Sequence, residues 1–91
     1  MPVAWEVDYS EAARRALRKL DRPTEQRIRA FVDSLPELPN PRARGEALKG
    51  PFAEFWRYRV GDYRLICRIQ DDLLVVLVVK IAHRSEVYRT R

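Results

Sequence analysis

The side chains of this chain best suited to chemistry are arginines, and five of them lie between residues 55 and 88. This stretch reads as three successive strands joined by two tight turns, and Arg57, Arg59, Arg64 and Arg84 lie within or at the ends of those strands. A planar guanidinium group binds phosphate oxygens through two parallel hydrogen bonds. So many guanidinium groups on a central sheet indicate an anionic partner, and we interpret the protein as RNA-directed.

The remaining reactive side chains are few. One histidine and one cysteine fall short of the ligand set of a catalytic zinc, so we predict no metal site and no cofactor. The sequence contains neither a glycine-rich phosphate loop nor an evident Ser-His-Asp or Cys-His set. Chemistry must therefore come from arginine, lysine, glutamate, tyrosine and the single histidine.

Such a set is able to cleave RNA, because the ribose 2′-hydroxyl supplies the nucleophile. Arginine and lysine stabilise the negatively charged transition state, and each well-placed donor contributes about 2.7–4 kcal/mol. Glutamate or histidine exchanges protons near neutral pH. DNA lacks the 2′-hydroxyl, so this chemistry predicts specificity for RNA.

Composition agrees with a single basic domain spanning residues 1–91. Eighteen Lys and Arg against thirteen Asp and Glu leave a net charge of +5, which favours a polyanionic partner. The only cysteine, Cys67, has no disulfide partner within the chain, as is typical of the cytoplasm. No apolar run approaches the ~18 residues of a membrane span and no signal peptide is evident, so we predict no membrane association.

The first half of the chain predicts one strand and two helices. Val3 to Asp8 alternates as a strand with one buried face. Ser10 is a suitable N-cap for a helix over Glu11 to Leu20, and Pro23 suits the first turn of a second helix that runs to about Leu35. A proline-rich irregular loop over residues 36–45 follows.

The second half predicts the strands Phe55–Val60, Tyr63–Gln70 and Leu73–Ile81, with turns at Gly61-Asp62 and Asp71-Asp72. The last of the three is apolar on both faces apart from one lysine, so we predict a central strand covered on both sides. The fold class is therefore α+β: an N-terminal strand, an antiparallel helical hairpin and a three-stranded antiparallel meander, in the order β-α-α-β-β-β.

Three segments carry a resemblance to a known family: EALKG at residues 46–50, FWRYRVGDYRLIC at 55–67 and DDLLVVLVVKIAHRSEVYR at 71–89. The chain resembles the RelE/ParE superfamily of type II toxin–antitoxin systems over nearly its whole length. The resemblance implies a RelE-like microbial RNase fold and metal-independent cleavage of mRNA on the ribosome, which inhibits translation. It also implies a hetero-oligomer with a cognate antitoxin, a small acidic protein whose C-terminal segment wraps the toxin.

The resemblance implies roles for individual residues. Glu46 matches a proposed general base, His83 lies near the position of a general acid, and Tyr88 matches a tyrosine that orients the substrate. Arg57 and Arg59 occupy positions that are lysine in RelE itself, and arginine cannot serve there as a proton acceptor because it stays charged. The implied catalytic set is Glu46, Arg59, Arg64, His83, Arg84 and Tyr88, and the implied RNA-binding set is Lys49, Arg57, Arg68 and Lys80.

Each of these residues has a structural alternative. Arg57 and Arg59 fit solvated charges on an exposed sheet face, and Glu46 fits a capping residue or an ion pair with Arg44. His83 fits an ordinary surface histidine, and Tyr88 fits a residue that closes the core near the C-terminus.

Two other functions also remain open. A ParE-like toxin would bind DNA gyrase and cleave no RNA, although such members generally lack this full set of polar residues. A non-toxic, antitoxin-bound co-repressor would cause no growth arrest when expressed alone.

Overall fold

The structure is a computed structural model that describes the backbone of residues 4–89 and the side chains of residues 4–86. It contains five strands, three α-helices and three single turns of 3-10 helix among the described residues. In chain order the strands and α-helices are β1 (Glu6–Tyr9), α1 (Glu11–Arg18), α2 (Arg22–Ser34), β2 (Glu46–Ala47), β3 (Trp56–Val60), β4 (Tyr63–Gln70), β5 (Val75–His83) and α3 (Arg84–Arg89).

The strands form one sheet in the order β1-β5-β4-β3-β2. The predicted antiparallel meander of β3, β4 and β5 is confirmed, and so is the α+β fold class. The first strand begins later than predicted, at Glu6, and pairs in parallel with β5, so that Glu6 lies opposite Val75. Val3, the predicted start, lies outside the described residues. The short strand β2 was not predicted; it adds an antiparallel edge to β3.

Both helices begin where the sequence indicates. The hydroxyl of Ser10 accepts a hydrogen bond from the backbone N–H of Ala13 at 3.1 Å and thereby caps α1. The carboxylate of Asp21 accepts a hydrogen bond from the backbone N–H of Thr24 at 3.2 Å and caps α2. A proline lies within the first turn of α2. Helix α1 ends at Arg18, two residues before the predicted end, and three residues connect it to α2.

The core lies between the two helices and one face of the sheet. Leu17 of α1 and Ile28 of α2 are fully buried with Leu65 and Val78 of the sheet. Tyr58 is the largest fully buried side chain; its hydroxyl donates a hydrogen bond to the carbonyl oxygen of Pro41 at 2.6 Å. This contact ties the loop after α2 to the centre of β3.

The prediction for residues 73–81 needs correction. β5 begins at Val75 rather than Leu73, because the chain is still turning at Leu74, which has a φ of +54°. The middle strand of the sheet is β4, and β5 lies beside it. Residues Val75 and Leu77 on the second face of β5 are only half-buried, so that face is not covered as predicted.

A β-bulge in β5 determines which side chains share a face. Ile66 pairs with Lys80 while Cys67 pairs with Val78, which leaves Val79 as the extra residue. Beyond the bulge Ile81 points toward the helices and Lys80 toward the opposite side. We call the side of the sheet opposite the helices the open face.

The described residues contain no helix of the length and apolar character that a membrane crossing requires.

Burial of ionisable groups predicts that the protein loses stability in alkali. Burial raises the pKa of the Cys67 thiol from 9.0 to about 12 and contributes most to raising that of Tyr9 from 10.0 to about 12. Because the unfolded chain then releases these protons first, the free energy of unfolding is highest below pH of about 9 and falls as the pH rises to about 12.

Urea unfolding across this pH range measures the effect. A Cys67→Ala variant, although less stable at neutral pH, should lose less further stability than the parent protein between pH of about 9 and 10. In this range the unfolded chain ionises the Cys67 thiol, with its ordinary pKa of 9.0, more than the Tyr9 hydroxyl, with its ordinary pKa of 10.0. Parallel pH curves for the two proteins would contradict the assignment of this loss to Cys67.

Candidate active site

The sheet register brings the arginines of β3 and β4 to the open face. Arg59 of β3 lies directly opposite Arg64 of β4, and Arg57 lies opposite Ile66. Opposed residues of an antiparallel pair project from the same face, as do alternate residues along one strand. The predicted residues that the ladder gathers on the open face are Glu46, Arg57, Arg59, Arg64, Arg68 and Lys80.

Arg64 has an unusual environment for a guanidinium group. It is only 9% exposed, and its one described side-chain hydrogen bond runs from Nη1 to the carbonyl oxygen of Tyr63 at 3.3 Å. None of the ion pairs among the described residues includes Arg64 or its neighbour Arg59. A buried charge without a counter-ion and a like charge opposite it both destabilise the fold. A bound anion would relieve both effects.

Glu46 is brought beside these arginines by β2. It lies opposite Arg57 in the register, and its carboxylate forms an ion pair with the Arg57 guanidinium. The partner of Glu46 is thus Arg57, and not Arg44 as one alternative had it. The pair borders a cleft of about 280 Å³, whose other charged residues are Arg44 and Arg59.

The position of Glu46 depends on the backbone at Gly45. Gly45 has a φ of +81°, and a β-carbon there would lie 2.5 Å from the carbonyl oxygen of Arg57 and 2.6 Å from the indole nitrogen of Trp56. That indole nitrogen donates a hydrogen bond to the carbonyl oxygen of Arg44 at 2.7 Å. Glycine is therefore required for this segment to lie flat against β3.

A second contact anchors the loop that precedes Glu46, at Arg42. Arg42 forms a bidentate ion pair with Asp71, with both nitrogen–oxygen distances at 2.9 Å, and its guanidinium lies 6.0 Å from the centre of the Trp56 ring. The hydrogen bonds from Arg42 hold the pKa of the Asp71 carboxyl below its ordinary value. The loop that delivers Glu46 is thus attached to the sheet at several points.

His83 is not brought together with the open-face arginines. It lies opposite Tyr63 in the register, on the helix side, and its ring packs edge-on against Tyr63 with the centroids 5.2 Å apart. Its Nδ1 accepts a hydrogen bond from the backbone N–H of Ser85 at 3.1 Å. The ring lines a separate groove beside α1. The bulge at Val79 explains this placement, because strict alternation along β5 would have turned His83 to the open face.

Arg84 and Tyr88 lie in α3, at the end of the sheet. The backbone N–H of Arg84 donates to the carbonyl oxygen of Asp62 at 2.7 Å, and its Nε lies 4.0 Å from the Asp62 carboxylate. Asp62 belongs to the turn between Arg59 and Arg64, so Arg84 is at the same end of the sheet as those two arginines. The side chain of Tyr88 lies outside the described residues, and its role stays a prediction.

The other predicted RNA-binding residues lie at the margin. Arg68 is paired with Glu54 at 2.9 Å and lies over the ring of Phe55. Lys80 is exposed on the open face, and Lys49 is exposed beyond β2. Arg44 also lines the cleft, although the sequence analysis named it only as a possible ion-pair partner of Glu46. Its position next to Gly45 in the sequence was the signal for a place in the cleft. The described residues contain no group of three or more His, Cys, Asp or Glu side chains that would hold a metal ion.

Comparison with known proteins identifies the family of this chain. A family model described as the ParE toxin of the type II toxin–antitoxin system parDE matches residues 7–88. The chain belongs to this toxin family.

Relatives place the protein within the wider RelE/ParE superfamily. The ParE-family chain is 32% identical over 87 residues to Toxin RelG of Mycobacterium tuberculosis, covering 93% of this chain and 97% of that protein.

Structural neighbours confirm the RelE-like fold. The toxin–antitoxin complex RelBE2 of Mycobacterium tuberculosis matches with a TM-score of 0.80 at 29% identity, covering 93% of this chain and 97% of the other. The isolated E. coli RelE toxin matches with a TM-score of 0.71 at 26% identity, covering 94% and 93%. The archaeal RelE–RelB complex from Pyrococcus horikoshii matches with a TM-score of 0.73 at 27% identity, covering 90% and 97%.

Proposed function

We propose that this toxin is an endoribonuclease that cleaves mRNA on the ribosome and so inhibits translation. The observation that carries the proposal is the buried Arg64, which has no ion-pair partner among the described residues. It lies directly across the ladder from Arg59, with Glu46 on the same face. Two adjacent cations without described counter-ions suit the phosphate that links two nucleotides. A carboxylate beside them suits the proton transfer that starts the reaction.

The proposed reaction is attack of the ribose 2′-oxygen on the adjacent phosphorus. The Glu46 carboxylate takes the 2′-hydroxyl proton, the O2′–P bond forms and the P–O5′ bond breaks. Arg59 and Arg64 stabilise the negative charge on the phosphoryl oxygens in the transition state. Because His83 lies on the other side of the sheet, solvent water is the proton donor that we propose for the departing 5′-oxygen. The products are a 2′,3′-cyclic phosphate and a 5′-hydroxyl.

We further propose that an antitoxin binds the open face and keeps the toxin inactive. The relatives include complexes of RelE-type toxins with RelB antitoxins. The net charge of +5 favours an acidic partner segment, and so do Arg59 and Arg64, which have no ion-pair partner in the part of the chain that the structure describes.

Primer extension after induction of the toxin without its antitoxin tests the nuclease proposal. We expect new mRNA 5′ ends within codons, and we expect growth arrest and cleavage to be lost in an Arg59→Gln, Arg64→Gln double variant. Arg29→Gln is the matched control, because Arg29 pairs with Glu25 on α2, away from the open face. Persistent arrest by a folded double variant would contradict the proposal.

The second candidate is inhibition of DNA gyrase, which the match to the ParE family model favours. The same induction experiment separates the two functions. A gyrase inhibitor would leave mRNA 5′ ends unchanged and cause DNA damage, and purified toxin would inhibit supercoiling by gyrase in vitro.

A further inference from the structure

The Glu46 carboxylate, which the proposed reaction needs as a base, forms an ion pair with the Arg57 guanidinium. The pair joins facing residues of β2 and β3, and the two side chains are 54% and 26% exposed, respectively. A cation next to a carboxylate favours its charged form, so a carboxylate in such a pair is a weaker proton acceptor than a free one. The structure therefore shows the candidate base engaged by a cation.

The cleft around the pair has an excess of positive charge. Among the described residues that line it, Arg44, Arg57 and Arg59 are basic and Glu46 alone is acidic. Arg57 also has a buried Nε that lacks a hydrogen-bond partner among the described atoms. An arriving phosphate would thus find donors on three guanidinium groups, and one of these groups is held by Glu46.

The exposure of the pair suits exchange of partners. A half-exposed ion pair contributes little net stability, since water competes for both charges. A phosphate diester offers the guanidinium two oxygens in the bidentate geometry that arginine favours. Replacing one anionic partner of Arg57 by another is therefore a low-cost step, whereas breaking a fully buried pair would not be.

We propose that Arg57 couples substrate binding to activation of Glu46: a bound phosphodiester takes over the Arg57 guanidinium and releases the carboxylate as the general base. This inference rests on the proposed function. It assigns Arg57 a positioning role in addition to contacting RNA. The resemblance to RelE, which has lysine at this position, does not imply that role. Without substrate, Glu46 stays paired and the cleft is inactive toward stray hydroxyl groups.

The first test measures the Glu46 carboxyl directly. The ¹³C shift of selectively labelled glutamate is followed against pH in the full-length protein, with Glu46→Gln identifying the signal. A 2′-deoxy oligonucleotide serves as an uncleavable phosphodiester probe. We expect saturation with the probe to raise the titration midpoint of Glu46 by about one pH unit, and Arg57→Gln to raise it similarly without the probe. A midpoint that moves in neither case would overturn the inference whether or not the protein cleaves RNA.

The second test uses the pH dependence of kcat/KM for cleavage of mRNA on programmed ribosomes. The acidic limb of kcat/KM reports the base in the free protein, so we expect Arg57→Gln to move this limb upward by about one pH unit and Arg57→Lys to restore part of the shift. Arg29→Gln, which removes the same charge from an ion pair on α2, should leave the limb in place. If the wild-type protein cleaves RNA and Glu46→Gln does not, but Arg57→Gln leaves the acidic limb in place, the proposed coupling is wrong and the nuclease proposal stands. Absence of cleavage by the wild-type protein would instead contradict the nuclease proposal itself.

Discussion

Replacing Arg64 by methionine should raise the melting temperature of the protein and lower the rate of the proposed RNA cleavage by about 10²–10³-fold. Arg64 is 9% exposed, has no described carboxylate partner and faces Arg59 across the ladder. Exchange of buried charged groups for well-packed apolar ones is neutral to stabilising by about 1–4 kcal/mol. Methionine keeps the unbranched stem of arginine and removes only the charged end.

The two effects of this substitution are measured separately. For a chain of this size, each kcal/mol corresponds to about 4–8 °C in melting temperature. Arg14→Met is the control, since Arg14 forms an exposed ion pair with Asp8 and should change stability by no more than about 0.5 kcal/mol. A melting temperature that falls in Arg64→Met, with Arg14→Met unchanged, would show that the native fold compensates the Arg64 charge.

Sulfate provides an independent check of the same site. An anion that binds only the folded protein raises its stability in proportion to occupancy. Sulfate at constant ionic strength should therefore stabilise the wild-type protein more than it stabilises Arg64→Met. Equal stabilisation of both proteins would indicate that sulfate acts elsewhere.

The second large effect is expected for Gly45→Ala, which should destabilise the protein and displace Glu46 from Arg57. The added methyl group would meet the Arg57 carbonyl oxygen at 2.5 Å and Tyr58 Cδ1 at 2.9 Å, and neither is free to move. Overpacking of this kind costs about 1–3 kcal/mol, and the left-handed backbone adds about 1–2 kcal/mol. We expect cleavage to fall as well, at a temperature where the variant is still folded.

Gly50 offers a matched control for this experiment. It has a φ of +66°, but a β-carbon there would meet nothing within 4 Å. Gly50→Ala should therefore show only the backbone cost, and the difference in the free energy of unfolding between the two variants isolates the steric contact. Equal losses in both variants would mean that close packing of residue 45 on β3 does not hold Glu46 in place.

The parts of the fold that the sequence predicted are those with strong local signals. Ser10 and Asp21 mark the helix starts through hydrogen bonds that involve only neighbouring residues. β4 agrees with its predicted bounds because turns flank an alternating strand. Strand β2 was missed because a two-residue strand has no periodicity, and only its pairing with β3 defines it.

The candidate site was predictable in composition but not in full geometry. The grouping of Arg57, Arg59 and Arg64 follows from strand alternation and a tight turn, both of which are local. The side of the sheet on which His83 lies depends on the bulge at Val79. One extra residue moves every later side chain of the strand to the opposite face of the sheet. Lys80 was the sequence signal for this reversal, because strict alternation would have buried its charge.

The parallel pairing of β1 with β5 has a consequence for synthesis of the protein. Glu6 and Val75 are neighbours in the sheet although they lie far apart in the sequence, so the first strand has no partner until β5 has been synthesised. Val76 and Val78, on which the helices pack, are made at the same late stage. The sheet therefore closes only after β5 has been synthesised, and a nascent chain that lacks β5 cannot present the complete sheet to the ribosome that is making it.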